Sequence, residues 1–400
     1  MRTLMCLLAA VVLVGSLAAA QSPKVSLGAD QLIIDASMVQ GRRVGLVTHQ
    51  AGVTRDGEAT AGALVRRRGV QLTALFAPEH GLGGTLGAGQ TVPNVLDQTP
   101  VFSLYGGTFR PTARMLSLVD VLVVDLQDVG VRAFTYASTM ALVMKAARDA
   151  GLPVVILDRP NPLSGLTIDG PVLEPSLRSF IGMFSIPYVH GLTLGELARL
   201  INGAFQIGAN LSVVPMKGWE RSMVWADTGL PWINPSPGIP SAETAFYYAI
   251  TGPLDGTNLW NGVGTESRFQ VVLAPWLKGS LLADRLNRLR LPGVQFSPSA
   301  VPHPRTGRPW YGVRIQVTNP YVLRPNTVAV HILAEVKRLP GSRLRFPQPR
   351  RGPYLFDLVW GTKSVRLALQ HGEPAGAIVA RWQPGLRRFR ELREGYLLYR

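Results

Sequence analysis

From residue 44 onward the chain alternates short, solid apolar runs with stretches of helical composition. Residues 44–48, 72–76, 101–104, 121–125 and 154–157 read as strands. They are apolar at nearly every position, the pattern of strands buried on both faces. Residues 60–68, 111–118, 136–150 and 193–202 read as helices. Pro111 stands where a helix start tolerates proline. Thr193 with Glu196 three residues on has the spacing of a capping box. Such alternation predicts an α/β domain built on a mostly parallel sheet with helices on both faces. Past about residue 250 proline becomes frequent, and a strand at 312–317 mixes with helices at 365–369 and 374–396. This predicts a smaller α+β C-terminal domain, with the two domains spanning 24–252 and 253–400.

The amino terminus follows different rules. Arg2 precedes an apolar run over 4–14, and Ala18, Ala19 and Ala20 offer a small-residue cleavage site before Gln21. Residues 1–20 therefore read as a secretory signal peptide, since the run is shorter than the roughly 20 residues a membrane span requires. The expectation is an exported protein, periplasmic or extracellular. Cleavage would remove Cys6, the only cysteine, leaving no disulfide and no thiolate chemistry. At 400 residues and 46% hydrophobic composition, the chain can bury sizeable cores without one. The net charge of +16 favours polyanions. For an exported chain these are anionic cell-wall polymers, lipid surfaces or acidic glycans, and not nucleic acid. Arg343, Arg345, Arg350, Arg351, Arg387, Arg388 and Arg390 carry much of that charge.

Ligands of parallel sheets bind beyond the carboxyl ends of the strands, so the loops there carry the candidate chemistry. After the second strand comes Ala77-Pro78-Glu79-His80-Gly81, with glycines at 83, 84, 87 and 89. Glu79 and His80 form the best acid/base pair in the chain. A dinucleotide fingerprint fails because Leu86 stands where a third glycine belongs. After the fourth strand, Asp125, Gln127, Asp128, Arg132, Thr135 and Tyr136 form a dense polar set. Arg132 either forks onto a ligand carboxylate or closes an internal Asp–Arg pair. After the fifth strand, Asp158-Arg159-Pro160-Asn161-Pro162 is a rigid turn presenting Asn161. His190 and the Asn234-Pro235-Ser236-Pro237 segment complete the set, with Trp219, Trp225, Trp232 and Trp260 as either sugar platforms or core. No Gly-x-Ser-x-Gly elbow or phosphate-binding loop is present, and the histidines lack metal-ligand spacing. No metal and no cofactor are expected.

Read together, the strand 44–48, Leu75-Phe76-Ala77-Pro78-Glu79-His80-Gly81, the loop 125–132, Leu157-Asp158-Arg159-Pro160-Asn161-Pro162 and Asn234-Pro235-Ser236-Pro237 resemble one family. With Gly256-Thr257-Asn258, Ala274-Pro275-Trp276 and the closing Tyr396-Leu397-Leu398-Tyr399, they are similar to the exo-β-N-acetylmuramidases of peptidoglycan recycling, the NamZ family. The resemblance runs from about residue 41 to the carboxyl end. It implies a Rossmann-like amino-terminal domain, a smaller second domain and a cleft between them. The implied reaction is release of N-acetylmuramic acid (MurNAc) from the non-reducing end of fragments such as MurNAc–GlcNAc, where GlcNAc is N-acetylglucosamine. The family's proposed catalytic glutamate falls on Glu79. Three places depart from the family pattern: His49 where asparagine is usual, Trp260 and Val263 where serine and arginine are usual, and Arg268-Phe269-Gln270 for Pro-Phe-Glu.

On this reading Glu79 is the general acid, with His80 in support. Asp128 acts as base or nucleophile, or orients the sugar's 2-acetamido group for attack on its own anomeric carbon. The lactyl carboxylate of MurNAc asks for a cation, with Arg132 first and Arg159 second. Tyr136, Asn161, His190, Asn234, Ser236 and Asn258 are the further sugar-binding candidates. The expected partners are peptidoglycan-derived disaccharides or muropeptides. Two rival readings are a wall-binding protein without turnover and a glycosidase for another amino sugar.

Overall fold

A computed structural model describes residues 25–83, 95–96 and 98–400. The expected signal segment and Gly84, Gly87 and Gly89 lie outside the described residues. In chain order the strands are β1 (Arg43–Thr48), β2 (Gln71–Ala77), β3 (Val95–Leu96), β4 (Thr99–Ser103), β5 (Val121–Asp125), β6 (Val154–Leu157), β7 (Asp169–Val172), β8 (Pro187–Val189), β9 (Leu211–Val214), β10 (Val271–Ala274), β11 (Val294–Pro302) and β12 (Pro309–Val317).

The main sheet has the order β3-β4-β2-β1-β5-β6-β9. All its pairings are parallel except that of the short edge strand β3 with β4. The chain winds from β1 through β2 to β4 on one side, and from β5 through β6 to β9 on the other. The winding direction therefore reverses between β1 and β5, and that switch point is where an open parallel sheet leaves a crevice. Register aligns the strand ends there. Val47 pairs with both Phe76 and Val124, and Thr48 pairs with Asp125. The loops after β1, β2 and β5 thus leave the sheet side by side.

All five residues of β5 are buried, as are all four of β6, which matches the solid apolar runs of the sequence. Helix Tyr136–Asp149 and helix Leu194–Gly203 cover one face. The second begins with the predicted capping box, in which Thr193 accepts from the Glu196 N–H and Glu196 accepts from the Thr193 N–H at 3.1 Å. Helix Gly28–Ile34 packs on the other face, against β6 and β9. The predicted helix 111–118 shrinks to Ala113–Leu116, because Thr112 rather than Pro111 caps it.

The second domain carries an antiparallel sheet of order β10-β12-β11. Helix Gly279–Arg288 lies against it, helix Pro325–Arg338 packs on Gly279–Arg288, and the long helix Ala375–Glu394 packs on Pro325–Arg338 and on the β7–β8 ribbon. One continuous apolar core runs from the main sheet into these helices, joining Val47 and Met140 to Leu333 and Trp382. The chain's last residues return to the first domain. Tyr399 donates its hydroxyl to Asp158 at 2.6 Å, and the Leu398 N–H bonds Glu196 at 3.0 Å. The carboxyl end of β6 is therefore tied down by the carboxyl end of the chain.

Candidate active site

The loop after β5 is buried throughout residues 126–134. Buried backbone must find partners, and most polar side chains nearby serve that need. Gln127 donates its side-chain amide to the carbonyls of Asp128 and Pro160, at 2.8 and 2.9 Å. Its backbone N–H donates to Nε2 of His49 at 2.9 Å. That bond leaves the imidazole proton on Nδ1. Burial pushes the His49 pKa down to about 3, so the ring stays neutral. Gly130 has φ of +75°, and a Cβ there would strike the side chain of Asn161.

Two carboxyls flank this loop. Glu79 follows β2 and is half-buried. Thr135 donates its hydroxyl to Glu79 Oε2 at 2.8 Å, and the Tyr105 hydroxyl lies near enough to the carboxyl that, after burial, Glu79 helps hold its proton. Thr135 stands at the N-cap of helix Tyr136–Asp149 yet accepts no backbone N–H with its side chain. Its hydroxyl is spent on Glu79 instead. His80 is held in the left-handed region with φ of 73°, which turns the chain sharply after Glu79. Asp128 is buried, with Oδ1 accepting from the Gly130 N–H at 2.7 Å and Oδ2 without a partner. Burial raises its pKa to about 7, partly offset by the Gly130 and Val129 N–H groups.

Three aromatic hydroxyls close the constellation. Tyr136 donates to the Pro235 carbonyl at 2.5 Å and lies edge-on to His49 at 5.0 Å. Burial first, then Glu79 and Asp128, keep its proton in place. Tyr248 is held protonated by burial, with Asp255, Glu79 and Asp128 as neighbouring negative charges. The third is Tyr105. Tyr105 and Tyr248 are additions to the sequence-derived set, and Thr135, part of the polar set after the fourth strand, gains its role here. Tyr105 lies just past β4, so the strand-end rule extended by one strand finds it. Tyr248 sits inside helix Ala242–Thr251, where no local pattern marks it.

Several expected ligand contacts are redirected. Arg132 gives its Nη atoms to the carbonyls of Pro171, Ile186 and Val359, at 3.1, 2.8 and 2.9 Å. Only its buried Nε lacks a partner. Burial lowers its pKa to about 10, so the side chain remains a cation, but it bolts three chain segments and does not face a ligand. Arg159 forks onto Asp125 and donates to the Val53 carbonyl. The internal Asp–Arg pair thus exists, with Arg159 in place of Arg132. Neither arginine offers an open fork to a lactyl carboxylate.

Asn161 spends its side chain on the Leu192 carbonyl and the Leu163 N–H, both at 2.9 Å. Asn258 does the same with Arg343 and Arg345, both at 2.8 Å, and so pins that segment. His190 is buried, accepts from the Leu192 N–H, and is held neutral with its pKa near about 3, first by desolvation and then by Arg393 and Arg132. These three support the loops. Asn234 is exposed and Ser236 buried, on either side of the Pro235 carbonyl that receives Tyr136. Trp219 and Trp225 are core residues, whereas Trp260 is half-buried beside His303 and Trp310. Among the described residues no group of three or more His, Cys, Asp or Glu side chains is placed to hold a metal.

Residues 44–243 match the family model described as exo-beta-N-acetylmuramidase NamZ, N-terminal, and residues 246–399 match its C-terminal counterpart. A protein of Bacillus subtilis (strain 168), named peptidoglycan beta-N-acetylmuramidase NamZ, is 39% identical over 389 residues, covering 95% of this chain and 92% of its own length. A crystal structure of a DUF1343 family protein from Bacteroides fragilis NCTC 9343 aligns with a TM-score of 0.88 at 37% identity, covering 94% of this chain and 99% of that one. A second DUF1343 protein from the same organism aligns with a TM-score of 0.73 at 28% identity over the same shares. With both halves matched in order and a relative this similar along nearly its whole length, the chain belongs to the exo-β-N-acetylmuramidase NamZ family.

Proposed function

We infer that the protein is an exo-acting β-N-acetylmuramidase, a glycoside hydrolase that removes MurNAc from the non-reducing end of peptidoglycan fragments such as MurNAc–GlcNAc. Family membership supports the bond and the sugar. The observation that carries the chemistry is Glu79. It is a half-buried carboxyl just past the carboxyl end of β2, oriented by Thr135, and it shares the neighbours Tyr136 and Tyr248 with a buried second acid, Asp128.

Glu79 acts as the general acid and gives its proton to the leaving glycosidic oxygen. Asp128 suits neither a nucleophile nor a base for water. A carboxyl nucleophile must contact the anomeric carbon and a base must contact water, whereas Asp128 is buried with one oxygen already taken by the Gly130 N–H. A desolvated carboxyl with its pKa raised to about 7 suits the acetamido N–H of the sugar. As the acetamido oxygen attacks C1 and the C1–O bond breaks, the N–H becomes acidic and Asp128 accepts it. Water then opens the cyclic intermediate with Glu79 as base. Such substrate assistance is an established exception to two-carboxylate glycoside cleavage.

Residues 1–20 support export, which would bring the enzyme to its polymer outside the cytoplasm. The arginines at 343, 345, 350, 351, 387, 388 and 390 are all exposed, which supports loose attraction to anionic wall polymers.

Product analysis by mass spectrometry tests the reading. Glycan chains ending in MurNAc should lose that one sugar and then stop, and chains ending in GlcNAc should stay intact. Internal fragments from the latter would contradict exo action. An N-trifluoroacetyl substrate, whose amide oxygen is a poorer nucleophile, should turn over at least tenfold more slowly. An unchanged rate would rule out acetamido participation.

A further inference from the structure

A cavity that the reaction does not use lies just beyond the Glu79 site. It has a volume of about 480 Å³, and its lining includes Phe109, Phe180, Phe184, Phe205, Lys145 and Arg178. That volume is within the roughly 300–1,000 Å³ of ordinary ligand sites. Tyr105, a neighbour of Glu79, contacts Phe109 at 5.4 Å and Phe180 at 5.9 Å between ring centroids, and those two rings meet at 4.6 Å. One aromatic layer therefore separates the cavity from the catalytic carboxyl. Phe180 is held at the tip of a tight turn, in which Ser179 and Gly182 exchange backbone hydrogen bonds at 2.9 and 3.0 Å.

The lining carries positive charge without compensation. Lys145 lies over the Phe184 ring at 5.8 Å, and neither it nor Arg178 has an acidic partner among the described residues. Arg148, on the same wall, is by contrast neutralised by Asp149 at 2.6 Å. The Ser179 hydroxyl also lines the cavity and is buried with no hydrogen-bond partner. Two open cations, an unsatisfied hydroxyl and phenyl walls suit an anion with an aliphatic body.

We propose that this cavity binds the peptide stem of muropeptide substrates, with Lys145 and Arg178 on a stem carboxylate. The proposal rests on the muramidase reading, because the stem is attached through the lactyl group of the very sugar held beside Glu79. Stem peptides carry free carboxylates on aliphatic residues, which match the lining.

The test compares MurNAc–GlcNAc with its stem-tripeptide-bearing counterpart, using wild type, Arg178→Gln and Lys145→Met. Each substitution should raise KM for the peptide-bearing substrate about tenfold or more, the usual worth of one charge-assisted contact. Kinetics on MurNAc–GlcNAc should be unchanged, which also shows that the variants fold. Equal effects on both substrates, no effect on either, or a wild type that cleaves only the bare disaccharide would overturn the proposal. If wild type cleaves neither substrate, the muramidase reading fails instead. Calorimetry with the free stem tripeptide then decides the cavity: binding lost in both variants supports it, and no binding to wild type overturns it.

Discussion

Replacing Arg132 separates a structural role from a ligand-binding one. In Arg132→Met the volume is roughly kept while three hydrogen bonds are lost, to the carbonyls of Pro171, Ile186 and Val359. Each bond to a charged group contributes about 1.5–3 kcal/mol. Removing the cation also relieves its desolvation, so the three do not simply add. Three buried carbonyls are left without a donor at about 1–3 kcal/mol each, and with part of that offset by the relieved desolvation the net cost is about 3–5 kcal/mol. A chain near this length unfolds with an entropy of about 0.8 kcal/mol per kelvin, so Tm should fall by roughly 4–6 °C. Differential scanning calorimetry measures this. The matching kinetic expectation is that KM for an aryl β-N-acetylmuramide and the inhibition constant of its unreactive GlcNAc analogue change by the same factor below the transition. An unchanged Tm together with a selective loss on the muramide would refute this reasoning and return Arg132 to the lactyl carboxylate.

Asp128→Asn should abolish most turnover and also the rise in kcat/KM with pH near about 7, where wild-type Asp128 loses its proton. The same variant should be more stable than wild type at neutral pH. The folded Asp128 binds its proton more tightly than an ordinary carboxyl of pKa 3.8, so this group makes stability fall as pH rises from about 4 to 7. Urea titrations across that range check the difference in slope, and parallel curves would exclude it. His49→Gln should keep activity, because its amide oxygen reaches the place of Nε2 and can still accept from the Gln127 N–H. His49→Leu should lose about 1–3 kcal/mol by leaving that buried donor unsatisfied. Chemical denaturation of both variants tests this, and equal stability would contradict it. Tyr399→Phe removes the hydroxyl that bonds Asp158 and accepts from the Met216 N–H, so it should cost about 1–3 kcal/mol with little change in KM. An unchanged denaturation midpoint would count against that tie.

The strand-end loops were legible because parallel strands buried on both faces write themselves as solid apolar runs. β1, β2, β5 and β6 are such runs, and the polar residues just past them are the ones the fold gathers. β9 escaped notice because Leu211–Val214 is a short edge strand, only its last residue fully buried. The β7–β8 ribbon did so because Gly170 and Pro171 interrupt it. What each polar residue faces was much less legible. An arginine in a loop reads alike whether it meets a ligand or three carbonyls, and Arg132 meets carbonyls from segments 39, 54 and 227 residues away. Tyr248 enters the site from a helix more than a hundred residues after Glu79, a proximity that only the tertiary fold creates.

The central claim is that Glu79 breaks the glycosidic bond of a terminal MurNAc. Its most direct measurement is chromophore release from an aryl β-N-acetylmuramide by wild type and by Glu79→Gln, matched for folded protein by calorimetry. The account predicts release by wild type and a loss of about 10²–10⁴-fold in the variant, the usual contribution of a general acid. A folded Glu79→Gln that keeps more than a tenth of the wild-type rate would contradict it.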